Sequence, residues 1–92
     1  MPTISVIIPN YNNAKYLGEA IDSALSQEGI DLEIIVVDDG STDHSQEVIE
    51  SYGSLITSIY QQNAGASAAR NVGWQNANSN WFKFLDADDR LL

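Results

Sequence analysis

Ninety-two residues with 43% hydrophobic and 18% charged content suit one small soluble domain, able to bury roughly 60–70% of its unfolded surface. A formal net charge of −9 with only four Lys and Arg excludes nucleic acid as a partner and disfavours anionic membrane surfaces, because phosphate contacts need clustered cations. The absence of cysteine excludes disulfide staples and thiolate metal sites, and no run approaches the ~20 apolar residues of a membrane span.

The opening MPTISVIIPNYN lacks a basic region and a long apolar stretch, so no signal peptide is expected. The expected setting is the cytoplasm, or the cytoplasmic face of a membrane in a longer protein. Ile4 to Pro9 is a β-branched run stopped by proline and reads as a buried strand. After a polar loop, Leu17, Ile21, Ala24 and Leu25 recur on one helical face, with Asn12 or Asn13 as N-cap and Gly29 as the stop. Ile34 to Val37 is a second apolar run, too short for a helix, and predicts a central parallel strand.

Ser41, Thr42 and Asp43 offer caps and first-turn acid to a second helix with Val48, Ile49 and Tyr52 inside. Leu55 to Tyr60 is a weaker third strand. A glycine turn then opens a small-residue helix over Ser67 to Ala77, and Asn78-Ser79-Asn80 turns the chain into a last strand, Trp81 to Leu85. The alternation β-α-β-α-β-α-β predicts an α/β, Rossmann-like, mainly parallel sheet of about four strands and three helices covered on both faces. All strand carboxyl ends then share one edge, where ligands bind at the switch in strand order. Asn10-Tyr11, Asp38-Asp39 and Asp86-Asp88-Asp89 each follow a strand directly, so residues nearly fifty apart in sequence are expected on one rim.

Of the thirteen acids, six fall in two clusters, Asp38-Asp39-Asp43 and Asp86-Asp88-Asp89. Clustered carboxylates ask for a cation. Hard Mg²⁺ or Mn²⁺ takes one or two carboxylates and completes its shell with phosphate, which a D-x-D pair leaving a strand suits. The plainer reading of DADD is a solvated acidic turn, and that of DDGSTD is turn and cap chemistry. Arg70 is an arginine expected near the acidic rim. It either forks onto a phosphate or base carbonyl or forms a structural ion pair with Asp38 or Asp39. Tyr11 either packs in its loop or stacks on a base. His44, the sole histidine, has no ligand partner nearby and is assigned no role.

In this order and spacing, SVIIPNYNNAKYL, EIIVVDDGSTD, NAGASAARNVG and FKFLDADD resemble the amino-terminal half of a family 2 glycosyltransferase with the GT-A fold. The resemblance covers nearly the whole chain and implies a site for a nucleotide-diphospho-sugar, most simply a UDP-sugar. It implies that Pro9 and Tyr11 flank the base and that Asp39, with Asp38, accepts hydrogen bonds from uracil or ribose. It further implies that Arg70 approaches the base or diphosphate, that Asp86 lies near the ribose and the metal, and that Asp88, with Asp89 beside it, ligates the divalent cation. The family's acceptor-binding half and general base are expected to follow the D-x-D segment. Residues 1–92 are therefore expected to be a single truncated domain, holding the donor site and inactive alone.

An open edge at Trp81, Phe82 and Phe84 then invites homo-oligomers. The acceptor, a saccharide or other hydroxyl compound, belongs to the longer protein. A nucleotide- and metal-binding module without turnover is the alternative. A phospho-acceptor signalling domain fails because Pro-Asn-Tyr, not an acid pair, follows the first strand and Lys83 lies inside the last. A dinucleotide oxidoreductase fails for lack of G-x-G-x-x-G after the first strand.

Overall fold

The computed structural model describes residues 4–27 and 31–87. The expected stop at Gly29 and the acids Asp88 and Asp89 lie outside the described residues. In chain order the elements are β1 (Ile4–Asn10), α1 (Ala14–Leu25), β2 (Leu32–Asp39), α2 (Ser45–Ser51), a 3₁₀ turn (Gly53–Leu55), β3 (Thr57–Gln61), α3 (Ala66–Gln75) and β4 (Phe82–Phe84). The four strands form one sheet in the order β3-β2-β1-β4, and every pair is parallel. The α/β, Rossmann-like expectation holds, with four strands and three helices.

Alternation along the strands divides the core. Val6, Ile8, Ile34 and Val36 face α1 and α2, where Leu17, Ala20, Ile21, Ala24 and Ile49 are buried against them. Ile35 and Val37 face the other way, onto Ala69 of α3. The chain steps outward from β1 through β2 to β3, then returns past β1 to β4, and the reversal carries α3 to the opposite face of the sheet. The switch in strand order therefore lies between β1 and β4.

α3 can sit close to the sheet because its inward positions are small. A Cβ built on Gly73 would stand 2.4 Å from Ile7 Cγ2 and 3.3 Å from Val37 Cγ2. At the amino ends of the strands, a polar latch fixes the approach to β4. The Glu33 carboxylate accepts from Ser5 Oγ (2.8 Å), Asn78 N (2.8 Å) and Asn78 Nδ2 (2.6 Å), and Ser5 Oγ also meets Ser79 Oγ at 2.6 Å. Burial pushes the Glu33 carboxyl up, yet the donors from Asn78 and Ser5 outweigh it and hold the group below its ordinary value.

Element boundaries move in instructive ways. The third strand begins at Thr57 rather than Leu55, because the chain first makes a 3₁₀ turn that leaves Leu55 exposed. The helix predicted over 67–77 runs from Ala66 to Gln75. Tyr52, half-buried beyond the end of α2, donates its hydroxyl to Gly18 O (3.0 Å) and Asp22 Oδ1 (2.7 Å). Burial and the Asp22 charge push its pKa up to about 12. The last strand, expected from Trp81 to Leu85, runs only from Phe82 to Phe84, and Phe82 and Phe84 on it, with Trp81 just before it, are exposed.

Gly73→Ala tests the close approach of α3. Better helix propensity contributes about 1 kcal/mol in favour of alanine, but overpacking against the stiff Ile7 side chain costs about 1–3 kcal/mol. Urea unfolding is expected to show a net loss of about 1–2 kcal/mol, and a stabilised variant would mean that helix and sheet are further apart than described.

Candidate functional site

β2 extends two residues past its apolar run, so Asp38 and Asp39 belong to the strand itself. Adjacent strand residues point to opposite faces, which separates two carboxylates that would otherwise repel. Asp38 is fully buried on the α1/α2 side. Its Oδ1 accepts from Asn10 Nδ2 (2.9 Å) and Ser41 Oγ (2.6 Å), and its Oδ2 from Ser41 N (3.2 Å). Asp39, 3% exposed, turns toward the loop between β3 and α3. Gln61 Nε2 (2.9 Å) and Ala64 N (2.8 Å) donate to its Oδ1, and Gly65 N (3.0 Å) and Asn63 Nδ2 (3.3 Å) to its Oδ2. Burial raises the Asp39 pKa, but the donors from Gln61, Ala64 and Gly65 prevail and lower it below the ordinary 3.8. Gly40 permits this arrangement. Its φ is +73°, and a Cβ there would lie 2.7 Å from the Asn63 backbone nitrogen.

The β1–α1 loop is tied to the β2–α2 loop. Asn12 sits in the left-handed region at φ 52°, where Asn is tolerated, and its Oδ1 accepts from Thr42 N (2.7 Å) and Asp43 N (3.3 Å). Its backbone N–H donates to Ser41 Oγ at 3.0 Å. Neither Asn12 nor Asn13 caps α1 with its side chain. Asp43 does so from the neighbouring loop, accepting from Ala14 N (3.1 Å) while also receiving Ser45 N (2.9 Å) and Ser45 Oγ (2.5 Å) at the start of α2. One carboxylate thus serves two helix amino termini. Burial raises its pKa, and the Ser45 and Ala14 donors with the His44 charge more than reverse that.

The expectation that the Asp38-Asp39-Asp43 cluster needs a cation is therefore corrected. Its charge is met by hydroxyl, amide and backbone N–H donors. Among the described residues no group of three or more His, Cys, Asp or Glu is arranged to hold a metal ion.

At the switch between β1 and β4 a cleft of about 410 Å³ opens on the carboxyl ends of the strands. It brings together Pro9, Asn10, Tyr11, Asp39 and Asp86 of the residues singled out from sequence, and adds Asn63. Asp38 does not line it. Arg70 does not line it either, and its expected partner is corrected: the guanidinium meets Asp86 at 3.4 Å, not Asp38 or Asp39. Both side chains of that pair are well exposed, so it contributes little to stability. Arg70 instead borders a neighbouring depression with Trp74, Phe82 and Phe84, whose rings meet edge to face. The exposed Asp86 carboxylate at the cleft mouth is suited to share a divalent cation with a phosphate, since such ions take few protein ligands. Gln61 and Asn63 went unselected in the sequence because the third strand has a weak apolar pattern; the same rule, residues directly after a strand, points to them.

A parallel sheet with a polar cleft at its switch point defines the class as a doubly wound α/β domain, and solved glycosyltransferase structures share this fold. The Staphylococcus aureus TarS 1-349 structure in complex with UDP-GlcNAc superposes with a TM-score of 0.85 at 34% identity, covering 96% of this chain and 27% of that one. The mannosyltransferase PcManGT from Pyrobaculum calidifontis in complex with GDP-Man and Mn²⁺ superposes at 0.86 and 27% identity, over 95% of this chain and 28% of that one. An uncharacterised glycosyltransferase of Rickettsia prowazekii is 47% identical over 88 residues, 96% of this chain and 28% of the relative. Glycosyltransferase GlyA of Streptococcus pneumoniae is 45% identical over 89 residues, 94% of this chain and 13% of the relative. The model of glycosyl transferase family 2 matches residues 5–92, and the chain belongs to that family. It spans less than a third of the length of these relatives.

Asp39→Asn places an amide among donors and is expected to cost about 2 kcal/mol at neutral pH. Because the folded carboxyl has a lowered pKa, its stabilisation is present above its ordinary value of 3.8 and is lost as pH falls through the folded value. Urea unfolding at pH 7 and pH 3 should therefore show a smaller acid loss in the variant than in the wild type. Equal losses would remove Asp39 from the acid response.

Proposed function

We propose that this chain is the donor-binding part of an inverting glycosyltransferase that takes a UDP-sugar with a divalent cation and passes the sugar to an acceptor hydroxyl. The observation that carries the reading is the cleft at the sheet's switch point, walled by Pro9, Tyr11 and Asp39 with Asp86 at its mouth. Its volume falls in the range of small-molecule sites. Tyr11 is half-exposed beside Pro9 and offers a ring to a base. The preference for a uracil nucleotide over a guanine one follows the higher identity to the protein that carries UDP-GlcNAc than to the one that carries GDP-Man.

Asp86, with Asp88 and Asp89 further along, would hold Mn²⁺ or Mg²⁺. When bound, the cation offsets diphosphate charge and stabilises the departing nucleotide as a Lewis acid. Inversion also requires a base opposite the leaving group. Among the described residues lining the cleft, the titratable side chains are Tyr11, Asp39 and Asp86, and Asp39 is already committed to four donors. That commitment favours the reading in which these residues bind and orient the donor while the acceptor and its base lie on other parts of a longer protein.

Calorimetric titration with UDP, with and without Mn²⁺, tests this. Mn²⁺ is expected to tighten binding by about tenfold, and Asp88→Ala to abolish that gain. A folded chain that binds UDP under neither condition would contradict the assignment.

A further inference from the structure

β4 delivers Asp86 to the cleft, yet its own side chains hold it weakly. It has only three residues, lies at the edge of the sheet against β1, and is exposed at every position. A strand without a buried face specifies its place poorly. Two anchors outside the strand make up the deficit. Toward the cleft, Leu85 and Ala87 are buried in the α1/α2 core, and Asp86 between them is left exposed. That anchor decides which way Asp86 faces.

The second anchor lies at the other end of the sheet, where Glu33, Ser5 and Phe82 stand in one row across β2, β1 and β4. One oxygen of the Glu33 carboxylate accepts from Ser5 Oγ and Asn78 N, and the other from Asn78 Nδ2. Ser5 Oγ meets Ser79 Oγ, which donates to Trp81 O at 2.7 Å, and Trp81 O accepts from Ser5 N at 2.9 Å. A single side chain of β2 thereby pins both the loop that leaves α3 and the start of β4. Glu33 itself does not line the cleft.

We infer that Glu33 is a positioning residue for the nucleotide site: by pinning Asn78 and Ser79 it holds β4 on β1, and so holds Asp86 where a cation-bound diphosphate reaches it. The inference rests on the reading that the cleft takes a nucleoside diphosphate with a divalent cation. It divides the rim into two parts. Pro9, Tyr11 and Asp39 belong to the ends of β1 and β2, which pair along the whole of β1, whereas Asp86 depends on the latch. Glutamine preserves that latch once the exposed Asn78 amide turns over, because its carbonyl accepts from Ser5 Oγ and Asn78 N while its NH₂ donates to Asn78 Oδ1. Alanine loses every one of these bonds.

The test uses the whole chain, first without ligand. In Glu33→Ala, hydrogen exchange of the Leu85 amide, which donates to Ile7 O at 2.9 Å, is expected to quicken about tenfold while the amides of β2 keep their wild-type rates. Calorimetry with UDP then reads the site. Metal-free affinity is expected to stay within about twofold of wild type, and the roughly tenfold gain from Mn²⁺ to fall to about threefold or less. Glu33→Gln is expected to restore that gain. Asn78→Ala removes one bond from an exposed residue and serves if Glu33→Ala does not fold; it is expected to lower the Mn²⁺ gain about twofold. Wild-type exchange at Leu85, or an undiminished Mn²⁺ gain, in the folded variant overturns the inference. So does equal weakening with and without Mn²⁺, the mark of a general loss of structure. A wild type that binds no UDP overturns the nucleotide reading, and the inference with it, before any variant is compared.

Discussion

Two neighbouring carboxylates at the end of the central strand set the terms for everything on the functional rim. Asp38 and Asp39 are both buried, and a buried charge persists only when hydrogen-bonded. Because strand side chains alternate, each carboxylate recruits a different set of donors: Asp38 draws in the end of β1 and the Ser41 turn, while Asp39 draws in the end of β3 and the approach to α3. The demand for partners thereby fastens three loops to one strand.

The cleft inherits its shape from that fastening. Asp43 extends it by joining the starts of α1 and α2, and Asn12 adds a cross-loop clamp through an uncommon backbone conformation. On the opposite face, Ala69 and Gly73 let α3 lie close to Ile7 and Val37, which brings Gly65 and Ala66 to the cleft wall. At the far end of the sheet, the Glu33 latch on Asn78 fixes where β4 enters, and so where Leu85 and Asp86 emerge. A site assembled this way is preorganised by packing and internal hydrogen bonds.

Much of the architecture was legible in the sequence because its physics is local. Short β-branched runs, a helical stripe at Leu17, Ile21 and Ala24, and glycine or asparagine turns signal elements without knowledge of distant partners. The shared rim of Asn10, Asp39 and Asp86 followed from topology alone. What stayed hidden depends on side chains meeting across loops. No spacing rule tells that Asp43 would cap α1 from another loop, that Asn12 would serve Thr42 instead of its own helix, or that Arg70 would turn to Asp86. On sequence alone the Asp38-Asp39-Asp43 cluster suggests a cation, because charge is visible there and the donors that meet it are not. Gln61 and Asn63, neutral and following a weak strand, carried no such flag, yet they hold Asp39.

The central claim is that ligand recognition occurs at the strand carboxyl ends, in a rim held by internal hydrogen bonds. Amide chemical-shift mapping by NMR during UDP titration tests it most directly. The account predicts shifts concentrated at Asn10, Tyr11, Asn63, Gly65, Ala66 and Asp86, with Glu33 and Asn78 unmoved. Shifts centred on Glu33 and Asn78, or spread evenly over the sheet, would contradict it.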